Sequence, residues 1–293
     1  MGSPLPLITV VLLCVFPLPA QERLPESTQE LSAAVDRVAV LTPSDFKTLQ
    51  SQAKSGDREA QYLLALSYED GRPVARDFAV SRNWMLKSAE QGYVPAQAGM
   101  GETYLRNSSK ENGAILDYAD AERWLRLAAT QGNAEAQEWL GTGYDRGWFG
   151  VTDYREGLRW LRRSAEQGLP WAQFTLAQMY EGGEGVPVSD SLAANWYRKA
   201  ADHFTEVGGV WEAVVQLVYM YRDGRLRQDL VERYMWCAIV DASFNPPSVD
   251  DIKWAAKRMT KAQILQAQRM AREWIRRHTR QSQSIAQAKA TEN

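Results

Sequence analysis

Two histidines and two cysteines are all that the 293 residues contain, and that scarcity removes most of the chemistry a chain of this length can carry. His203 and His278 stand far apart in sequence, and no H-E-x-x-H, paired C-x-x-C, P-loop or G-x-S-x-G pattern occurs. Cys14 lies in an N-terminal apolar run, so Cys237 is the one thiol expected in the mature chain, and a single thiol closes no internal disulfide. Beside Trp236 in a helical pattern, Cys237 reads as a small buried apolar residue. His203 opens an irregular stretch and reads as a loop or partly packed imidazole. Asp250-Asp251 is the kind of pair that marks a helix start rather than an acid/base dyad. No residue is therefore assigned to catalysis, to a metal or to a cofactor.

Strong net charge is also missing. The formal balance is −2, which gives no global reason to expect nucleic acid as a partner. The charges are unevenly spread, however. From Lys253 to Asn293 ten Lys/Arg face two Glu, about +8, leaving about −10 for the rest.

Apolar length is limited at the N-terminus. Leu5 to Leu18 is almost wholly apolar, too short for a comfortable membrane span. Followed by Pro-Leu-Pro-Ala-Gln, it reads as an export signal cleaved after Ala20, leaving Gln21 as the first mature residue and no stable membrane span. Val11-Leu12-Leu13 lacks the small residue expected immediately before a lipid-anchoring cysteine at Cys14. Asn107-Ser108-Ser109 is an N-glycosylation pattern, relevant only in a eukaryotic secretory route.

Aromatic residues, by contrast, are plentiful and periodic. Trp recurs at 84, 124, 160, 196 and 236, and Tyr at 68, 104, 144, 180 and 221, in steps of 36 to 41. Ala-Gln recurs at 60–61, 96–97, 136–137 and 172–173, with Ala213-Val214 in the fifth place, and Gln-Gly closes units at 91–92, 131–132 and 167–168. Ala60, Leu64 and Tyr68 sit four apart on one face of a first helix, and each later unit repeats the triplet. Gly101 and Gly141 follow the central residue in two units; a helical Gly costs about 1 kcal/mol against Ala, which close helix contact explains. Asp77, Asp117, Asp153, Ser189 and Asp229 stand seven residues before each Trp and are expected to cap the second helix. Gly92, Gly132 and Gly168 stop it, and Gly71, Gly147, Gly182 and Gly224 mark the turn inside the hairpin. Pro43 to Gly56 reads as a lone second helix, and residues 248–259 and 260–278 as two closing helices. Residues 21–42 read as a polar, loosely docked leader and 281–293 as a frayed tail.

The unit A-Q-x-x-L-x-x-x-Y-x-x-G followed by D-x-x-x-x-x-x-W-x-x-x-A-A-x-Q-G resembles the Sel-one-like repeat family, relatives of tetratricopeptide repeats. Val186 after Glu181-Gly-Gly-Glu-Gly185, and the stretch from Lys257 to Trp274, strengthen the likeness. The resemblance implies an all-α, right-handed α/α superhelical solenoid of about five hairpins over 43–243, with capping helices at 244–280. It also implies an adaptor that binds another protein or peptide rather than an enzyme. Two alternatives within the resemblance are a hydrolase acting on cell-wall or β-lactam-like substrates and a scaffold for polysaccharide assembly or export. The disulfide-paired repeats of relatives linked to the former are missing.

By that resemblance the first helices line a concave surface. Opposite the Ala/Leu/Tyr triplets, positions 59, 62, 66 and 69 and their equivalents carry eight carboxylates and one Arg. Glu59, Tyr62, Glu102, Glu135, Glu138, Trp171, Gln178 and Tyr219 are the candidate partner-binding residues there. Acids interleaved with aromatic rings suit a basic, Lys/Arg-bearing peptide.

Overall fold

The computed structural model describes residues 26–106, 117–203, 211–226, 229–244 and 249–291. The proposed signal, Cys14, the glycosylation pattern, Pro246-Pro247 and residues 204–210 lie outside them. The described residues form fourteen helices and no strand. A lone helix pair, α1 (Glu26–Ala39) and α2 (Pro43–Lys54), precedes five hairpins. These are α3 (Arg58–Asp70) with α4 (Phe78–Glu90), α5 (Val94–Arg106) with α6 (Tyr118–Thr130), α7 (Ala134–Asp145) with α8 (Tyr154–Glu166), α9 (Pro170–Gly182) with α10 (Asp190–Ala201), and α11 (Trp211–Arg222) with α12 (Leu230–Phe244). Two closing helices follow, α13 (Val249–Ala256) and α14 (Lys261–Thr291), the second continuing through residues the sequence reads as a tail. The chain forms two compact units, one up to Leu169 and one from Pro170.

The helix boundaries are set by local chemistry. Asp77, Asp117 and Asp153 each accept two backbone N–H groups at the start of the second helix, and Ser189 and Asp229 cap α10 and α12 in the same role. Gly92, Gly132 and Gly168 take positive φ at the helix ends. In the fourth hairpin the left-handed residue is Gly183, not Gly182, which is still helical. Gly183 follows Tyr180 by three residues, as Gly71 follows Tyr68 and Gly147 follows Tyr144, so the turns are equivalent.

Close approach within hairpins accounts for the small residues. A Cβ placed on Gly101 would stand 2.5 Å from Leu125 Cγ, and one on Gly141 2.6 Å from Leu161 Cγ and 2.9 Å from its backbone nitrogen. Only glycine fits where two backbones come that near.

The paired glutamines form a relay. Gln61, Gln97 and Gln137 donate from Nε2 to the carbonyls of Ala53, Ala89 and Ala129, tying each first helix to the end of the preceding helix. Their own carbonyl oxygens accept from Gln91, Gln131 and Gln167 at 2.7–2.8 Å, the Gln of the Gln-Gly that closes the same hairpin. Amides carrying both donor and acceptor suit a chain of this kind. Ser88 and Ser164 add bonds to the Arg58 and Ala134 carbonyls. The motif thus recurs because each hairpin satisfies its neighbour's buried polar groups.

The repeated tryptophans are not equivalent. Trp124, Trp160 and Trp236 are buried, whereas Trp84 and Trp196 are half-buried with Lys87 and Lys199 ammonium groups over their rings at 4.2 and 4.0 Å. In the second unit, α14 packs on α12 through Trp274, edge-on to Trp236. His278 stacks on Trp274 at 3.9 Å with its two ring nitrogens 2.7 and 3.1 Å from the carbonyls of Trp274 and Asp202. This brings His278 close to His203, which burial and then His278 push down to about 4. Asp251 does more than start a helix: it pairs with Arg233 at 2.5 Å, whose guanidinium, like that of Arg258, stacks on Trp254 at 4.0 Å. Cys237 is fully buried, its thiol pushed up to about 12 by loss of water, as a packing residue should be.

Candidate partner-binding site

The eight candidate residues fall into two groups. Glu59, Tyr62, Glu102, Glu135 and Glu138 belong to the first unit, and Trp171, Gln178 and Tyr219 to the second.

In the first unit the face of the first helices is covered by α1. The segment read as a loose leader is a helix that packs on α3, α5 and α7. Fourteen residues make a helix about 21 Å long, and three parallel helices at 8–10 Å spacing are about 16–20 Å across, so the lengths match. At its N-terminal end the Ser27 and Thr28 hydroxyls donate to the two oxygens of Glu135, and Ser27 Oγ accepts from the Ala134 backbone N–H. At its other end Arg37 pairs with Glu59. Between them Val35 and Val38 are buried in the cluster that holds Leu49, Leu63, Leu64 and Tyr62. Tyr62, expected to face a partner, is 2 % exposed and sits edge-on to Tyr93 at 5.3 Å. Four-residue spacing showed which side of α3 Tyr62 is on, but not that another part of the chain lies over it.

The acids of this unit do converge. Burial first, then Tyr93, then Glu69, Glu102 and Glu135, push the Tyr62 hydroxyl well up. Glu138 is half-buried beside them. Desolvation raises its carboxyl to about 7, helped by Glu102 and Glu135 and opposed by the Thr142 hydroxyl and Arg146. A carboxyl whose folded pKa lies above its unfolded value of 4.5 favours the folded state fully below pH 4.5. That contribution is lost as pH rises to about 7. Glu138→Gln should therefore raise the melting temperature relative to wild type at pH 8, with the gap closing as pH falls to 4.5. Calorimetry over that range checks the sign, and an equal gap at both ends would show that Glu138 is not perturbed.

In the second unit the corresponding face is open at its aromatic residues. Trp171 is 47 % exposed and Trp211 42 %, large areas to leave in water. Trp171 stands edge-on to Phe174 at 6.0 Å, which in turn meets Tyr197. Gln178 is exposed, and Tyr219 is half-buried under the Arg222 guanidinium at 4.7 Å. Of the two acids of this face, Glu181 and Glu212, the one beside the fourth hairpin's turn is engaged: Glu181 pairs with Arg225 and accepts from the Tyr197 hydroxyl. Phe174 stands at the position equivalent to Tyr62 and could have been added from the same spacing, whereas Trp211, one residue before Glu212, falls outside the pattern. The described residues contain no cluster of His, Cys, Asp and Glu able to hold a metal.

Four consecutive segments, residues 58–93, 94–133, 134–169 and 172–203, match the Sel1 repeat family. The fifth hairpin, with Val214 in place of the relaying glutamine, lies beyond them. The fold is similar to that of c5321, a protective antigen present in uropathogenic Escherichia coli strains displaying an SLR fold. The TM-score is 0.68 at 24 % identity, over 89 % of this chain and 58 % of that one. It is also similar to a Sel1 repeat protein from Oxalobacter formigenes, with a TM-score of 0.61 at 23 % identity over 84 % of this chain and 97 % of the other. Likeness at these identities is likeness of fold. The ERAD-associated E3 ubiquitin-protein ligase component HRD3A of Arabidopsis thaliana is 29 % identical over 93 residues, which are 31 % of this chain and 14 % of that much longer protein. The matched repeats and the stacked hairpins lead to one assignment: residues 58–203 of this chain are an array of four Sel1 repeats.

Proposed function

We propose that this chain is an exported adaptor that binds another protein along the face of its first helices. The observation that carries the reading is α1: a helix already lies across α3, α5 and α7, which makes that face one suited to a helical ligand. Trp171 and Trp211 on the second unit add rigid aromatic area of the kind that anchors protein partners. The Arabidopsis relative's description as a component of a ubiquitin-ligase assembly, over the small region of similarity, is consistent with a binding role. No helix among the described residues is long and apolar enough to cross a membrane, and the proposed export rests on the apolar run at Leu5 to Leu18 and a cleavage after Ala20.

Crosslinking pull-down from an envelope fraction, read by mass spectrometry, tests the reading, and the intact mass of the purified chain should begin at Gln21. With the captured partner, Trp171→Ala should speed dissociation by about tenfold or more, as loss of an aromatic anchor does. Biosensor traces identical to wild type would remove Trp171 from the interface, and a mass retaining Met1 would remove the cleaved signal.

A further inference from the structure

Helix α1 fits its seat in shape but not in charge. It brings Glu26, Glu30 and Asp36, with Arg37 as its one cation, against helices that carry Glu59 and Glu69 on α3, Glu102 on α5, and Glu135 and Glu138 on α7. At Glu135 the bonding groups are two neutral hydroxyls, where an ammonium or guanidinium would make a stronger, charge-assisted bond. Glu30 feels the mismatch: desolvation, Glu26 and Glu135 all raise its carboxyl. In the middle of the helix the Ser32 hydroxyl is buried, 3 % exposed, with no hydrogen-bond partner, a cost that a methyl group would not incur. Besides the hydroxyl bonds at Glu135, α1 is held by the Arg37–Glu59 pair, on side chains 60 % and 50 % exposed, and by a short apolar stripe of Leu31, Ala34, Val35 and Val38. Exposed pairs contribute little.

We propose that α1 is an internal occupant of a helix-binding face, displaced when a cationic amphipathic helix of a partner protein takes its place. This rests on the binding role proposed above and names the ligand: about four turns long, small or β-branched along its buried stripe, with Lys or Arg in the first turns to meet Glu135 and its neighbours. Such a ligand must first remove α1, so its apparent affinity is lowered by the fraction of molecules in which the face is open.

The test uses the full chain and a fluorescent peptide with the sequence of residues 26–39 carrying Glu26→Lys and Glu30→Lys. Two variants loosen α1: Val38→Asp in the buried stripe and Arg37→Glu at the exposed pair, the second leaving the core untouched. The peptide should bind Val38→Asp about tenfold more tightly than wild type, and Arg37→Glu more tightly by a smaller factor because the pair it reverses is exposed. Adding Glu135→Lys should abolish that gain, and a scrambled peptide of equal charge should bind none of them. Hydrogen exchange of the wild-type chain should show the amides of α1 becoming exposed on peptide addition while those of α3, α5 and α7 stay protected. Equal affinity for wild type and loosened variants, indifference to Glu135→Lys, or α1 amides that stay protected with peptide bound would each overturn the proposal. The two readings separate cleanly. A partner captured equally by wild type and Arg37→Glu sinks the displacement and keeps the adaptor, whereas peptide exchange with no partner captured does the reverse.

Discussion

Trp160→Ala should destabilise the first unit by about 3–5 kcal/mol, the range for truncating a buried large aromatic. Trp160 is 2 % exposed, so its whole ring is replaced by a void between α7 and α8. Its indole N–H donates to Glu156 at 2.9 Å, and Arg159 and Arg163 lie over the ring at 4.9 and 5.0 Å. The variant loses area, a hydrogen bond and two cation–π contacts together. In a repeat array each hairpin is stabilised by its neighbours, so the loss should spread to α5 and α6 and lower the cooperativity of unfolding. Urea denaturation followed by far-ultraviolet circular dichroism reads both effects. Trp196→Ala is the internal comparison: its ring is half-buried, so the loss should be smaller. Equal losses at the two positions would contradict the difference in burial.

Gly141→Val should be comparably damaging, by about 3 kcal/mol, for the opposite reason. Valine is a better helix former than glycine in isolation, so local propensity predicts a gain. The added Cβ, however, would meet Leu161 N at 2.9 Å and the Gly157 carbonyl at 3.0 Å. These are backbone atoms, which cannot rotate away, so α7 and α8 must move apart along their length. Gly132→Ala provides the contrast. No atom lies within 4 Å of a Cβ there, so the cost is only that of a positive φ of 96°. A Gly141→Val protein that melts with wild type would mean the two helices do not approach as closely as described.

The hairpins were legible because their signals are local and repeated. A cap such as Asp153 acts on N–H groups two and three residues away, and Ala136, Leu140 and Tyr144 share a face by helical period alone. Even the close packing at Gly101 and Gly141 was readable, since a glycine inside a helix needs a reason. The Ala-Gln and Gln-Gly pairs were visible as repeats, but their purpose was not. Gln137 meets Gln167 thirty residues on and Ala129 eight back, and only folding shows that one amide serves both.

The candidate site divided along the same line. The helical period placed Glu59, Tyr62 and Glu135 on one face of the first helices correctly, because that is a property of each helix. It could not say what lies over that face. Helix α1 is short, half polar and only modestly apolar, so nothing in residues 26–39 distinguishes a docked helix from a solvated leader. Its place is decided by Glu135 and Glu59, more than a hundred and more than twenty residues away along the chain. The sequence by itself determined the helices, their caps and the repeat, since these depend on neighbours within one or two turns. The tertiary structure alone decided that Tyr62 is buried and Trp171 exposed, because burial depends on which distant segment comes to rest on a surface.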